Sequence, residues 1–537
     1  MIRSLTLLAA AAALSAGAGC SRPTRAELGA REGVLHLGNG AEPRDLDPQT
    51  LETSNEYTIS TALFEGLVDL SSDGRTILPG VAERWEVSPD GLLWRFHLRP
   101  DARWSDGSAV TAGDVVYAFR RAFSPALACE GAPYGFAIRG ARAFSQGKES
   151  PQTPLGVAAP DERTVEIRLE YPAPYLGYVL SGSPFAPVPQ AVVERFGGGS
   201  RRGTAWTRPG NLVGNGPFVL KSWSPGADLV VVKNPWYWDR RRVRLKEVHF
   251  YPLDNAGAEE RAFRAGQLHA TYTLPSAKIA AYASAPAGLL HVTAQLNTVY
   301  LVFNTEKAPF DNADVRRALS LSIDRDRLVA RVLGERGSPA HALTRPGTGG
   351  YEPAPKIDWD PRLARELLAR AGFPAGAGFP RAEIKVPADF PAEFAQALQE
   401  AWRRELGIAL EIFSGEKKAV FSDLATGSFQ VGAMPFFYAV NAPEMILLVP
   451  LSDSPYNFSR WKSPAYDQAY RRATAAPTTP DRRRAFDEME GILAAHAPFA
   501  PLYYVNQCFA VRAEVRGWRD NPLGQIDWRD LSLEGAP

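Results

Sequence analysis

At 537 residues, with 45% hydrophobic and 22% charged side chains, the chain has an ordinary globular composition and length for roughly two to four domains. Sixty Lys and Arg against 59 Asp and Glu leave a net charge of +1, which removes any electrostatic case for nucleic acid as a partner. Basic runs such as Arg240–Arg242 and Arg482–Arg484 read as solvated faces.

In chain order, Met1-Ile2-Arg3 is a short positive start, and Leu5–Ala18 is an apolar run of signal-peptide length, too short to span a bilayer. It ends in Gly17-Ala18-Gly19-Cys20, which resembles a bacterial lipobox with Gly17 where Leu is usual. Cys20 is then the expected lipidation site, with ordinary secretion and cleavage as the alternative. Either reading exports the protein, to the periplasm or cell surface, and a lipid would tether it to the membrane without a spanning helix. Residues 1–19 are read as a lipoprotein signal peptide and 20–32 as a polar tether with no apolar period. Only Cys129 and Cys508 remain, either as a disulfide or as two isolated thiols.

Val34–Gly38 reads as a strand, and a helix is expected to follow, ending in Leu63-Phe64-Glu65-Gly66-Leu67. Ser88-Pro89-Asp90-Gly91 is a type I turn sequence, after which Trp94, Phe96 and Leu98 alternate with Arg95, His97 and Arg99 at the period of a half-buried strand. Thr111 and Asp114 have capping-box spacing ahead of the apolar face Val115, Val116 and Phe119. Further strands are expected over Thr164–Leu169, from Leu268, over Leu301–Asn304 and over Pro501–Asn506, with a hairpin over Leu220–Val232. Helices are expected over Ala258–Gly266, after Asn312, from Pro361 to Gly372, and over Ala395–Leu406 with Gly407 as its stop.

The stretch Leu78–Arg121 carries more than periodicity. Ala82, Trp85, Ser88, Asp90, Gly91, Trp94, Phe96, Leu98, Arg99, Trp104, Asp106, Gly107, Thr111, Ala112, Asp114, Val115 and Tyr117 stand in the order of the signature of bacterial extracellular solute-binding proteins, family 5. Leu46-Asp47-Pro48, Phe64-Glu65-Gly66-Leu67, Gly214-Asn215-Gly216-Pro217 and Asn234-Pro235-Trp236-Tyr237-Trp238 are similar to other words of that family. So are Leu451-Ser452-Asp453-Ser454 and Ser463-Pro464, and the resemblance covers about residues 33–535.

The resemblance implies an α/β, two-lobed periplasmic-binding-protein-like fold (type II) with an extra subdomain in lobe 1. Its expected divisions are 33–64 (lobe 1, first part), 65–188 (extra subdomain), 189–290 (lobe 1, second part), 291–505 (lobe 2) and 506–537 (return to lobe 1). It also implies a monomeric receptor of an ABC importer, partnered by a permease and ATPase, that captures peptides or peptide-like solutes. The alternatives are the same fold holding a capped or non-peptide solute, such as a cell-wall fragment or an opine, and a surface adhesion or chaperone-like lipoprotein without transport.

No G-x-S-x-G, H-E-x-x-H, P-loop or C-x-x-C is present, and the seven histidines are widely spread. No cofactor, metal or catalytic residue is expected. For the ligand site, alignment on Phe429, Asn441 and Pro443 places the family's amine-binding Asp at Ala439, a cationic position at Ala433 and an aromatic wall at Phe436. Alignment on Trp402 and Gly407 places a second cationic position at Leu424, a His at Pro391 and a Trp at Lys417. In lobe 1 an acid is retained at Glu52, near Thr53 and Ser54, with an aromatic wall at Tyr134. Either these contacts have diverged, or the register slips and Glu444 takes the amine.

Overall fold

The computed structural model describes residues 22–148, 154–285, 288–438, 440–476 and 478–535. The expected signal peptide and the expected lipidation site, Cys20, lie outside them. The expected tether holds a helix, α1 (Arg25–Glu32), which Thr24 and Glu27 cap reciprocally and Gly33 ends in the left-handed region at φ 78°. It carries no apolar period because the residues it buries are small, Ala26, Gly29 and Ala30. A Cβ on Gly29 would stand 3.0 Å from the rings of His36 and His269, so the helix lies close against the strand that follows.

That strand is β1 (Val34–Gly38), and α2 (Ser54–Leu63) follows it. The signature stretch then builds a separate antiparallel sheet from β2 (Ala82–Val87), β3 (Leu93–Leu98), β4 (Val157–Asp161) and β5 (Thr164–Arg168), in the order β2-β3-β5-β4. Trp94, Phe96 and Leu98 turn inward as their alternation requires, while Arg95 meets Glu166 at 2.8 Å on the other face. Between β3 and β4, α3 (Ala112–Ala122), capped by Thr111 and Asp114, buries Val115 and Phe119 completely.

The chain next returns through β6 (Phe218–Ser224), β7 (Asp228–Lys233) and β8 (Glu247–Tyr251) to complete a four-stranded sheet in the order β1-β8-β7-β6, with β1 parallel to β8. The family words interlock at this return. Asn215 brackets the backbone of Glu65, accepting from its N–H at 3.0 Å and donating to its carbonyl at 2.9 Å. The Glu65 carboxylate in turn accepts from the Tyr237 hydroxyl at 2.6 Å and the Trp238 indole at 2.8 Å. Gly216 passes so near α2 that a Cβ there would stand 2.5 Å from the Leu63 carbonyl carbon, so only glycine fits.

The second large sheet has six strands. They are β9 (Leu290–Phe303), β10 (Gly337–Pro339), β11 (Ala382–Pro387), β12 (Leu410–Gly415), β13 (Val431–Phe437) and β14 (Phe499–Ala510), in the order β10-β14-β9-β13-β11-β12. The helix Ala392–Leu406 covers it with Phe394, Leu398 and Trp402, and Gly407 ends that helix at φ 70°. Strands β9 and β14 are long because they serve two cores. Val299, Leu301, Ala500 and Leu502 pack in the core of this sheet, whereas Cys508 and Ala510 pack with Phe263 and Leu268 beside the first sheet. Their pairing is interrupted between Ala294 and Thr298, where the register shifts.

The strand expected from Leu268 is reduced to single bridges of Ala270 to Leu37 and Val511. The chain leaves the sheet there because the buried Glu259 carboxylate takes the N–H groups of Tyr272 at 2.7 Å and Thr273 at 3.2 Å. Cys129 and Cys508 are free and buried in different cores, and burial pushes each thiol up to about 11. Among the described residues no helix is long and apolar enough to cross a membrane, and no group of His, Cys, Asp and Glu is arranged to hold a metal ion.

Three of the scattered histidines do meet. The ring of His36 lies 4.9 Å from that of His249 and 5.6 Å from that of His269. His269 Nδ1 accepts from the His36 N–H at 3.0 Å, so Nε2 is the protonated nitrogen and donates to the Ala26 carbonyl at 3.0 Å. Burial lowers the pKa of His36 to about 3 and that of His269 to about 4. Both folded values lie below the unfolded 6.5, so their contribution is complete above pH 6.5 and is lost as the pH falls towards 4 and then 3. Burial raises Glu65 and Glu259 to about 7, and their contribution, complete below pH 4.5, is lost as the pH rises through 7. Urea midpoints measured from pH 6.5 to 4 isolate the histidines if His269→Gln, which keeps one acceptor and one donor, is run beside the parent. The parent should lose about 2 kcal/mol more than the variant across that range. Parallel curves would remove His269 from the acid response.

Candidate functional site

A cavity lies between the two large sheets, enclosing about 1310 Å³ of empty space with the solvent at its opening included. One wall comes from the C-terminal end of β1 (Leu37, Gly38) and Asn39 just past it, from α2 (Ser54, Tyr57, Thr58) and from the turn Ala270–Tyr272. The opposite wall comes from β9 (Thr293, Gln295), from Phe437 and Val440, and from Gln507 and Phe509 of β14. Tyr134, Tyr178 and Phe185 from the signature sheet's side and Trp518–Ile526 near the C-terminus complete it. The end of a strand at a change of sheet is where α/β folds leave a crevice, and the interrupted strands β9 and β14 pass through this one.

Gly38 makes one wall possible. A Cβ there would fall 1.7 Å from Glu259 Oε1, the carboxylate oxygen that fixes the Tyr272 backbone. Burial raises the pKa of the Tyr272 hydroxyl, which the neighbouring Ser54 side chain partly offsets. Gln295 Nε2 donates to Gln507 Oε1 at 2.9 Å, and Gln507 Nε2 donates to the Tyr272 carbonyl at 2.9 Å. The cavity is poor in charge. Apart from tyrosines, the ionisable residues lining it among the described residues are Arg519 and Asp520, and Asp520 meets His291 Nδ1 at 3.1 Å.

The residues expected to hold ligand divide sharply. Ser54 and Tyr134 do line the cavity. Glu52 does not, because its carboxylate lies between Arg44 at 2.5 Å and Arg202 at 2.9 Å, which already neutralise it. Thr53 is the N-cap of α2, its N–H on Glu56 Oε2 at 3.1 Å. Lys417 opens another helix away from the cavity and pairs with Asp389 at 3.0 Å. Phe436 packs edge-on against Tyr456, so that its neighbour Phe437 is the one in the wall, as strand alternation dictates.

Asn441 is a strut. Its amide accepts from the Gly349 N–H at 2.8 Å and donates to the Gly74 carbonyl at 2.9 Å, tying the second sheet's side to the turn between Leu70 and Ile77. Ala439 lies outside the described residues. Glu444 is fully buried and bonded to Arg482, away from the cavity lining, so the arginine run at 482–484 is not wholly a solvated face. Asn39, Tyr57, Thr58, Tyr178, Tyr272, Thr293 and Phe437 went unread in the sequence. Only Asn39 carried a signal, standing one residue past the end of a strand.

The family model for bacterial extracellular solute-binding proteins, family 5 (middle), matches residues 76–458. The chain is 32% identical to the periplasmic oligopeptide-binding protein of Salmonella typhimurium, over 98% of this chain and 97% of that one. It is also 32% identical to the probable deoxycholate-binding periplasmic protein of Escherichia coli, over 93% of this chain and 94% of that one. Among solved structures, the unliganded open form of the periplasmic murein tripeptide-binding protein superposes with a TM-score of 0.81 at 32% identity, covering 94% of this chain and 97% of that one. The fold and the matched length agree: the chain belongs to the bacterial extracellular solute-binding proteins, family 5.

Proposed function

We propose that the protein is an exported receptor that captures a peptide or peptide-like solute between two lobes and delivers it to the permease and ATPase of an ABC importer. The observation that carries this reading is the cavity itself, which takes its walls from both large sheets and is crossed by two strands interrupted at one level. That interruption is the natural hinge, with residues 33–290 and 506–537 forming one lobe around the subdomain 65–188, and 291–505 forming the other. The relatives named for oligopeptide and murein-peptide binding support a peptide. Lipidation at Cys20 would hold a monomeric receptor near its permease.

Native mass spectrometry of the protein truncated before Ser21, followed by release of bound material on denaturation, tests the ligand. Peptide masses in the released fraction, and a smaller radius of gyration when peptide is added back, are the expected result. A second reading, a steroid carboxylate, is favoured by the similarity to the probable deoxycholate-binding protein. A released steroid with no peptide masses would replace the first reading with this one.

A further inference from the structure

Three polar atoms on the two walls of the cavity have no partner among the described residues. Both amide atoms of Asn39, at the end of β1, and the hydroxyl of Thr293, on β9, are buried without a hydrogen bond. Asn39 is 2% exposed and Thr293 3%. Buried polar groups are nearly always satisfied, and a ligand gripped between the two walls would supply the partners this pair lacks. The amide offers both a donor and an acceptor, and the hydroxyl offers either, which is the complement of a secondary amide in the ligand.

The same cavity is unsuited to an ammonium. Asp520, the one carboxylate in its described lining, is held by His291. Glu52, expected to supply the charge, sits outside the lining between two arginines. An ammonium placed among these tyrosines and amides would be desolvated, and the carboxylate in the described lining, Asp520, is exposed and already bonded to His291. Arg519, exposed in the lining, leaves room for an anionic end.

We propose that the site takes an amide-bearing ligand without a free ammonium, an N-acylated peptide or a peptide-like acid, held through Asn39 and Thr293. This rests on the peptide reading above and narrows it.

The test uses the protein truncated before Ser21, stripped of bound material and refolded. It is offered equimolar pools of degenerate tripeptides with free or acetylated N-termini, and bound masses are read by native mass spectrometry. The acetylated pool should be enriched at least tenfold. Asn39→Leu and Thr293→Val should each lower its affinity at least tenfold while the ligand-free melting temperature holds or rises, because each variant removes an orphaned buried group. A residue that merely supported the fold would lower the melting temperature instead.

Equal or preferential capture of free-amine peptides would overturn the ligand class and leave the peptide receptor standing. Undiminished affinity in both variants would overturn the roles of Asn39 and Thr293. Capture of neither pool, with added deoxycholate bound, would overturn this inference and the peptide reading together.

Discussion

Asp47→Ala should cost the protein about 3–5 kcal/mol, because it strands a buried guanidinium. Asp47 and Arg121 have side chains 1% exposed each, and the two nitrogens of the fork meet the two carboxylate oxygens, Nη1 to Oδ1 at 2.8 Å and Nη2 to Oδ2. Around them Gln49 accepts from Nη1, the Gly198 carbonyl accepts from Nε at 2.9 Å, and the Trp206 indole donates to Oδ2 at 3.3 Å. The network joins the loop after β1, the last turn of α3 and the Gly197–Gly210 loop, three segments far apart in sequence. With the carboxylate gone, Arg121 keeps its carbonyl and amide acceptors but no anion, at a depth that water does not reach. Asp47→Asn keeps the volume and one acceptor and should still lose most of the stability, which separates charge from packing. The measurement is the urea midpoint at pH 7 with the slope checked, since a changed slope would signal a changed denatured state. A loss under about 1 kcal/mol in both variants would mean that the pair contributes only as an exposed one does.

Asp47 also shows how far the sequence reaches. Its place in Leu46-Asp47-Pro48 marks the family, yet nothing in spacing pairs it with Arg121, whose partners arrive from 74 and 77 residues away. What was legible was local. The alternation of Trp94, Phe96 and Leu98, the caps at Thr111 and Asn312, and the stop at Gly407 all stand where period and turn chemistry put them, because those signals act within one element.

The two-lobed architecture was legible through family wording, not through periodicity. The helix at Arg25–Glu32 was not, because it buries Ala26, Gly29 and Ala30, which carry no apolar signature. The site fared worst, for a physical reason. Ligand positions transferred by alignment assume that each side chain still faces the cavity, and here Glu52 has been drawn off by Arg44 and Arg202, and Phe436 by Tyr456. The residues that do face it, such as Tyr272 and Thr293, are placed by Glu259 and by the path of β9, and neither is visible as a motif.

Arg482→Leu should be nearly as costly as Asp47→Ala, about 3 kcal/mol, and it also settles what Glu444 is for. Glu444 is fully buried in the first turn after Pro443, and one of its oxygens meets Arg482 Nη2 while the other has no partner among the described residues. Arg482 approaches from the helix Thr479–His496, with its side chain 19% exposed, so it brings charge inward from the surface. Removing it leaves a carboxylate with no cation in a site that already satisfies only half of it. Replacing both residues, Glu444→Leu with Arg482→Leu, should recover most of the loss, since an apolar pair of similar volume avoids the desolvation that the ion pair bears. If Glu444 instead served a ligand ammonium, freeing it from Arg482 would raise the affinity for free-amine peptides. Because Glu444 does not line the cavity, no such gain is expected, and a tenfold gain in Arg482→Leu by calorimetry would return the amine site to Glu444.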